Sequence, residues 1–170
     1  MKVSVLMCAY NAASYIDEAI QSVIAQTYND WELLISNDAS TDDTKQIIEK
    51  YLSDKRIKLF NQPENLGYLD NKNWLFKKAG GELITQLDAD DTCCTNRLEK
   101  QVQVFINHPA IMICGTNHKL IDPAGNLLQP PVTHEHDLVI KEIQLEYPFW
   151  YSYLMFRKEL MDEFGLFSSY

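Results

Sequence analysis

Apolar residues along the chain follow two alternating rhythms. Short dense runs at Val3–Ala9 (VSVLMCA), 31–36 (WELLIS), Ile57–Asn61 and 83–87 have strand length and predict buried strands. Between them, apolar positions recur every three or four residues. Ile16, Ala19, Ile20, Val23 and Ile24 form the inner stripe of one predicted helix; Thr44, Ile47, Ile48, Tyr51 and Leu52 form that of a second. Ser14 with Asp17, and Ser40 with Asp43, are spaced as capping boxes that open these helices. A third helix over 69–79 is expected to close at Gly80-Gly81 through a left-handed residue. A fourth over 96–107 has Leu98, Val102 and Ile106 in phase, and His108-Pro109 stops it. Residues 111–116 read as a fifth strand and Asp122-Pro123-Ala124-Gly125 as a hairpin turn. Beyond the turn the pattern weakens to a loop over 129–137, a helix over 138–145, a strand over 152–156 and a helix over 157–164.

Strands alternating with helices predict an α/β fold with a mostly parallel sheet. Such sheets bind ligands where strands end on the carboxyl side. That rule selects Ala9-Tyr10-Asn11, Asn37-Asp38 and Asp88-Ala89-Asp90-Asp91, which should converge on one crevice. The 170 residues suit one domain or part of one. A net charge of −9 disfavours a general nucleic-acid binder, which needs a basic footprint. It also means that a phosphorylated ligand needs a cation to screen it. No run approaches the roughly 20 apolar residues of a membrane span. No charged leader precedes the first strand, so the fold is expected to start at residue 3. Cys8, Cys93, Cys94 and Cys114 show no metal-binding spacing and read as reduced thiols of a cytosolic protein, with a Cys93–Cys94 redox pair as the alternative.

The strongest chemical signal is Asp88, Asp90 and Asp91 at a strand tip. Carboxylates so close repel one another unless a cation or hydrogen-bond donors compensate, and hard oxygen ligands suit magnesium or manganese. A plain solvated loop is the alternative. Ser40 to Asp43 are explained by helix capping, but Asp38 stands before the cap and can accept hydrogen bonds from a ribose or a base N–H. Asn65-Leu66-Gly67 reads as a loop; Lys72 reads either as reaching a phosphate or as a solvated cation like Lys77 and Lys78. His134-Glu135-His136 reads as a surface loop rather than a metal site, and Trp150, Tyr151 and Tyr153 as stacking on a sugar or as core.

Together these stretches resemble the family-2 glycosyltransferases of the GT-A fold. SVLMCAYN resembles the first strand and its nucleotide-contacting turn; WELLISNDASTDDT resembles the segment around an Asp-Asp-Gly-Ser-Thr-Asp run. ENLG, NKN and AGGELITQLDADD resemble the approach to the DxD motif, and NRLEKQV and a late Gly-Leu-Phe follow in order. The resemblance implies a Rossmann-like donor-binding half over 1–116 and the start of an acceptor-binding half over 117–170. It implies that Ala9, Tyr10 and Asn11 line the base, mainly through backbone, and that Asp38 reads it. Asp88 and Ala89 would lie beside the ribose, Asp90 would bind manganese or magnesium on the diphosphate, and Lys72 would stand near the donor. The donor would be a nucleotide-diphospho-sugar, with UDP-sugar favoured, and the acceptor a saccharide or lipid-linked hydroxyl. The setting would be bacterial cell-surface polysaccharide synthesis, in the cytoplasm or peripherally at the inner face of the membrane.

The sequence departs from the family pattern at Asn37 for the first acid, Ala39 for the glycine and Cys8-Ala9 for Pro-Thr. Backbone contacts with the base survive these changes; a side-chain contact at residue 9 does not. The resemblance places the catalytic base of inverting members in an acidic motif a little past Gly165-Leu166-Phe167. The base is therefore expected beyond Tyr170, the last residue of the sequence, with His134 and Glu146 as poor substitutes. A nucleotide-binding fragment without turnover is the alternative function. A haloacid-dehalogenase-type phosphatase is a more distant one, because Asp88 to Thr92 also satisfies DxDxT.

Overall fold

In the computed structural model, which describes residues 1–116, 119–122, 125–128 and 153–164, six strands form one sheet in the order β3-β2-β1-β4-β6-β5. The strands are β1 (Val3–Ala9), β2 (Trp31–Asn37), β3 (Ile57–Asn61), β4 (Leu83–Gln86), β5 (Ile113–Gly115) and β6 (Leu154–Arg157). The first four are parallel; β6 runs antiparallel to β4, and β5 antiparallel to β6. The helices are α1 (Ile16–Ile24), α2 (Thr44–Glu49), α3 (Tyr68–Phe76), α4 (Arg97–Asn107) and α5 (Glu159–Phe164).

The twofold alternation of the strands divides the core between two faces. Val3, Val5, Met7 and Ala9 of β1, with Leu33, Ile35 and Leu83, pack against Ile16, Ile20 and Val23 of α1, Ile48 of α2, and Leu98, Val102 and Phe105 of α4. Leu6, Leu34 and Ile84 point the other way and pack on Leu75, Phe76 and Ala79. Each buried Leu or Ile contributes about 1.5–3 kcal/mol relative to exposure. A parallel sheet covered on both faces explains why β1 and β2 read as nearly unbroken apolar runs.

Several expectations are corrected. Neither capping box forms: α1 begins after Tyr15 and α2 after Asp43, and neither has a side-chain cap. Long-range partners take these groups instead. The Tyr51 hydroxyl donates to Asp17 at 2.6 Å, and Ser40 Oγ accepts from the Asn11 N–H at 3.0 Å. Gly80 and Gly81 do not provide a left-handed cap, since Lys77 ends α3 in the right-handed region. Gly81 instead allows close approach: a Cβ there would lie 2.6 Å from Ser4 N and 2.7 Å from Lys2 O. Ile24, Leu52 and Ile106 face solvent, and Phe105 takes the buried place in α4. The hairpin is present: Gly125 N–H donates to Asp122 O and Ile121 bridges Leu127. The expectations for 129–152, including His134, Glu135, His136, Glu146, Trp150 and Tyr151, lie outside the described residues. So do those for 165–170, and the expectation of a catalytic base beyond Tyr170 lies outside them with that segment.

Candidate active site

Parallel pairing brings the carboxyl ends of β1, β2 and β4 together. The Asp38 N–H donates to Ala9 O at 2.8 Å, joining the first two strand tips, and Leu6 of β1 is opposite Gln86 of β4. Past these tips opens a cleft of ≈ 520 Å³ whose walls include Ala9, Tyr10, Asn11, Asp38, Asp88, Ala89 and Asp90. Every residue assigned to the nucleotide or the metal except Lys72 therefore lines one hollow.

The two loops at its edge are fastened to each other. Asn11 Oδ1 accepts from Thr41 N–H at 2.9 Å, Thr44 Oγ1 from Ala12 N–H at 2.8 Å, and Asp42 Oδ2 from Ala13 N–H at 3.0 Å. Both loops turn through left-handed backbone at non-glycine residues, Asn11 (φ 51°) and Ala39 (φ 57°). The Asn11 side chain is thus engaged with the second loop. Asp38, 3% exposed, accepts from Leu66 N–H at 2.9 Å through Oδ1 and from Gly67 N–H at 3.1 Å through Oδ2. It pins the 65–67 loop to the cleft wall. Gly67 (φ 79°) needs the conformational freedom of glycine to make that turn.

Asp88 is half-buried and Asp90 exposed at the mouth. Gln86 Nε2 donates to Asp88 Oδ1 at 2.7 Å and to the Tyr68 hydroxyl at 2.5 Å. Arg97, buried behind β4, donates to Thr85 Oγ1 at 2.7 Å and Gln86 O at 3.3 Å, and so supports the strand tip. Lys72 is only 5% exposed and stands behind the wall, outside the residues that line the cleft, which corrects its reading as a solvated cation. Burial lowers its pKa to about 8, with the Asp88 carboxylate among the groups that oppose the shift. Burial likewise pushes the Cys8 thiol up to about 12, with Lys72 opposing and the two aspartates adding, so Cys8 lines the cleft as a neutral thiol. All four cysteines are free. Half-buried Tyr153 lies outside the cleft lining.

Sequence reasoning missed Tyr15, Tyr68, Asn71 and Gln86. Gln86 is buried at a strand end, where a polar residue in an apolar run was the available signal. Tyr68 carried none, because its place depends on how α3 crosses the sheet.

Among the described residues no three carboxylate, thiol or imidazole groups gather into a cation site. Magnesium is commonly held by one or two carboxylates together with substrate phosphates, and an exposed Asp90 beside Asp88 fits that shared arrangement.

The model of the family described as Glycosyl transferase family 2 matches residues 4–164. The chain belongs to that family. The family-2 assignment and the position of DxDxT after β4 set aside the phosphatase reading. An Escherichia coli protein named UDP-Glc:alpha-D-GlcNAc-diphosphoundecaprenol beta-1,3-glucosyltransferase WfgD is 37% identical over 120 residues, 71% of this chain and 47% of that protein. The crystal structure of S. aureus TarS 1-349 in complex with UDP superposes with a TM-score of 0.85 at 24% identity, covering 99% of this chain and 50% of that one. The mannosyltransferase PcManGT from Pyrobaculum calidifontis, in complex with GDP-Man and Mn2+, gives 0.71 at 19% identity, covering 98% and 47%. These likenesses establish the GT-A fold. The chain spans about half the length, or less, of the curated relatives it matches.

Proposed function

We propose that this chain supplies the donor site of a glycosyltransferase that moves a sugar from a nucleotide-diphospho-sugar to an acceptor hydroxyl. The observation that carries the reading is the meeting of Ala9, Asp38, Asp88 and Asp90 around one cleft at the carboxyl ends of β1, β2 and β4. Ala9 to Asn11 offer backbone to the base. Asp38 reads its N–H, since an ionised carboxylate that accepts two backbone bonds retains lone pairs for a third. Asp88 faces the ribose.

Asp90 and the diphosphate together would hold magnesium or manganese, which supplies neutralising charge to the departing diphosphate. Such a counter-charge also answers how an anionic donor enters a chain of net charge −9. The acceptor hydroxyl attacks the anomeric carbon from the face opposite the diphosphate, with inversion, and a carboxylate takes its proton. UDP is the favoured nucleotide and a lipid-linked saccharide the favoured acceptor class. WfgD, whose name carries UDP-glucose and a diphosphoundecaprenol acceptor, supports both, and TarS with its UDP supports the nucleotide. Synthesis of a cell-surface polysaccharide, on the cytoplasmic side or peripherally at the inner membrane face, follows from those substrates. Among the described residues no helix is long and apolar enough to cross a membrane.

Calorimetry with UDP and manganese tests the reading. Asp90→Ala should abolish manganese-dependent binding, and unchanged affinity would refute the metal assignment. Release of UDP from a UDP-sugar, measured on the same chain, separates transfer from nucleotide binding alone.

A further inference from the structure

Tyr68 and Gln86 form a linked pair beside Asp88. Gln86 is 4% exposed, and its Nε2 uses both hydrogens, one on Tyr68 Oη at 2.5 Å and one on Asp88 Oδ1 at 2.7 Å. Its Oε1 is buried and has no hydrogen-bond partner among the described residues. An amide that leaves its buried acceptor unpaired loses stability. Among the described contacts, the return for that orientation is a fixed Tyr68 hydroxyl and a fixed Asp88 carboxylate.

Because the Tyr68 oxygen accepts from Gln86, its own hydrogen points elsewhere. Its recorded acceptor is Asp88 Oδ1 at 3.5 Å, longer than the roughly 2.5–3.0 Å of a well-formed O–H···O bond. That proton is therefore weakly engaged and can turn to a ligand. The Tyr68 side chain lines the cleft and is half-exposed. Burial pushes its phenol up to about 12, with the Gln86 bond opposing and Asp88 adding, so it remains a donor near neutral pH.

A hydroxyl donor thus stands beside a carboxylate acceptor on the same wall. A phosphate oxygen matches only the donor, and an apolar group matches neither. A sugar hydroxyl, which donates and accepts at once, matches both. We infer that Tyr68, held by Gln86, recognises a ribose hydroxyl of the nucleotide jointly with Asp88 and selects ribonucleotides over deoxyribonucleotides. This inference rests on the reading of the cleft as a nucleotide-diphosphate site.

Calorimetry with UDP, 2′-deoxy-UDP and 3′-deoxy-UDP, in magnesium, on the wild-type chain and Tyr68→Phe tests it. The wild type should prefer UDP over at least one deoxy analogue by at least about tenfold, since that hydroxyl carries two hydrogen bonds, one of them to a carboxylate. Tyr68→Phe should weaken UDP several-fold, leave that analogue unchanged and so reduce the preference, the part carried by Asp88 remaining. Equal weakening of all three ligands would assign Tyr68 to packing alone, and an undiminished preference would exclude it from recognition. Either result overturns the inference and leaves the nucleotide site standing. No binding of any nucleotide by the wild type would reject the site and the inference together. The melt of Tyr68→Phe should fall by only a few degrees, because Gln86 Nε2 loses one acceptor on a half-exposed ring, and binding is compared well below both midpoints.

Discussion

Ala39 is the residue least suited to its backbone. It holds φ 57° at the end of β2, where the resembling family run has glycine. A Cβ in left-handed backbone costs about 1–2 kcal/mol, whereas glycine adds about 0.4–1 kcal/mol of unfolded-state entropy. Ala39→Gly should therefore raise the unfolding free energy by about 0.5–1 kcal/mol, measured by urea denaturation. A loss of stability would show that the methyl packs usefully. Asn11 holds the same conformation at φ 51°, but asparagine tolerates it, and its Oδ1 is bonded to Thr41. The acids at 38, 88 and 90 were legible because residue type and place at a strand tip both pointed to chemistry. The partner of each was not: nothing local shows that the Asp38 carboxylate accepts from the backbone at 66 and 67.

At the scale of elements, Gly81, just before β4, packs closely on the backbone at the start of β1. The Cβ of an alanine there would run into Ser4 N and Lys2 O, backbone atoms that cannot move aside without parting the strands. Gly81→Ala should cost at least about 1–3 kcal/mol, seen as a lowered Tm. Gly80→Ala should cost less, since its nearest neighbour is the Glu32 carboxylate at 3.2 Å. Equal effects would discount the close approach. At this scale the strands were read well, because a dense apolar run is a local property: β1 and β3 match residue for residue. The helix starts were not. Ser14 and Ser40 carry capping side chains, yet the loop N–H groups at 11, 12 and 13 bond across to the 40–44 loop. Contacts of that sequence separation leave no trace in a four-residue pattern.

Across the whole molecule, the two ends of the sheet carry opposite kinds of charge chemistry. The carboxyl ends gather acids around an open cleft, whereas the amino ends bury one acid among its donors. Glu32, 2% exposed, accepts from Lys2 Nζ at 2.9 Å, Ser4 Oγ at 2.7 Å, Gly80 N–H at 2.9 Å and Lys58 Nζ at 3.1 Å. Burial alone would raise its pKa; the four bonds outweigh burial and hold it at about 2, below the ordinary 4.5. A folded pKa below the unfolded one means that the unfolded chain takes the proton first. Stability from Glu32 is complete above pH 4.5 and falls away as pH drops toward 2. Urea midpoints between pH 6 and pH 3 should fall more steeply in the wild type than in Glu32→Gln. Parallel slopes would assign the acid sensitivity to other groups.

Residue types and their spacing determined the α/β class, the mostly parallel sheet, the family and the strand-tip acids, because burial pattern and chemistry at neighbouring positions are carried by the chain itself. Tertiary structure decided what each group faces. It placed Lys72 behind the cleft instead of in it, engaged Asn11 with the second loop, and set Tyr68 and Gln86 beside Asp88. The physical reason is that a side chain's partner is fixed by how elements stack, through hydrogen bonds and packing between residues tens of positions apart.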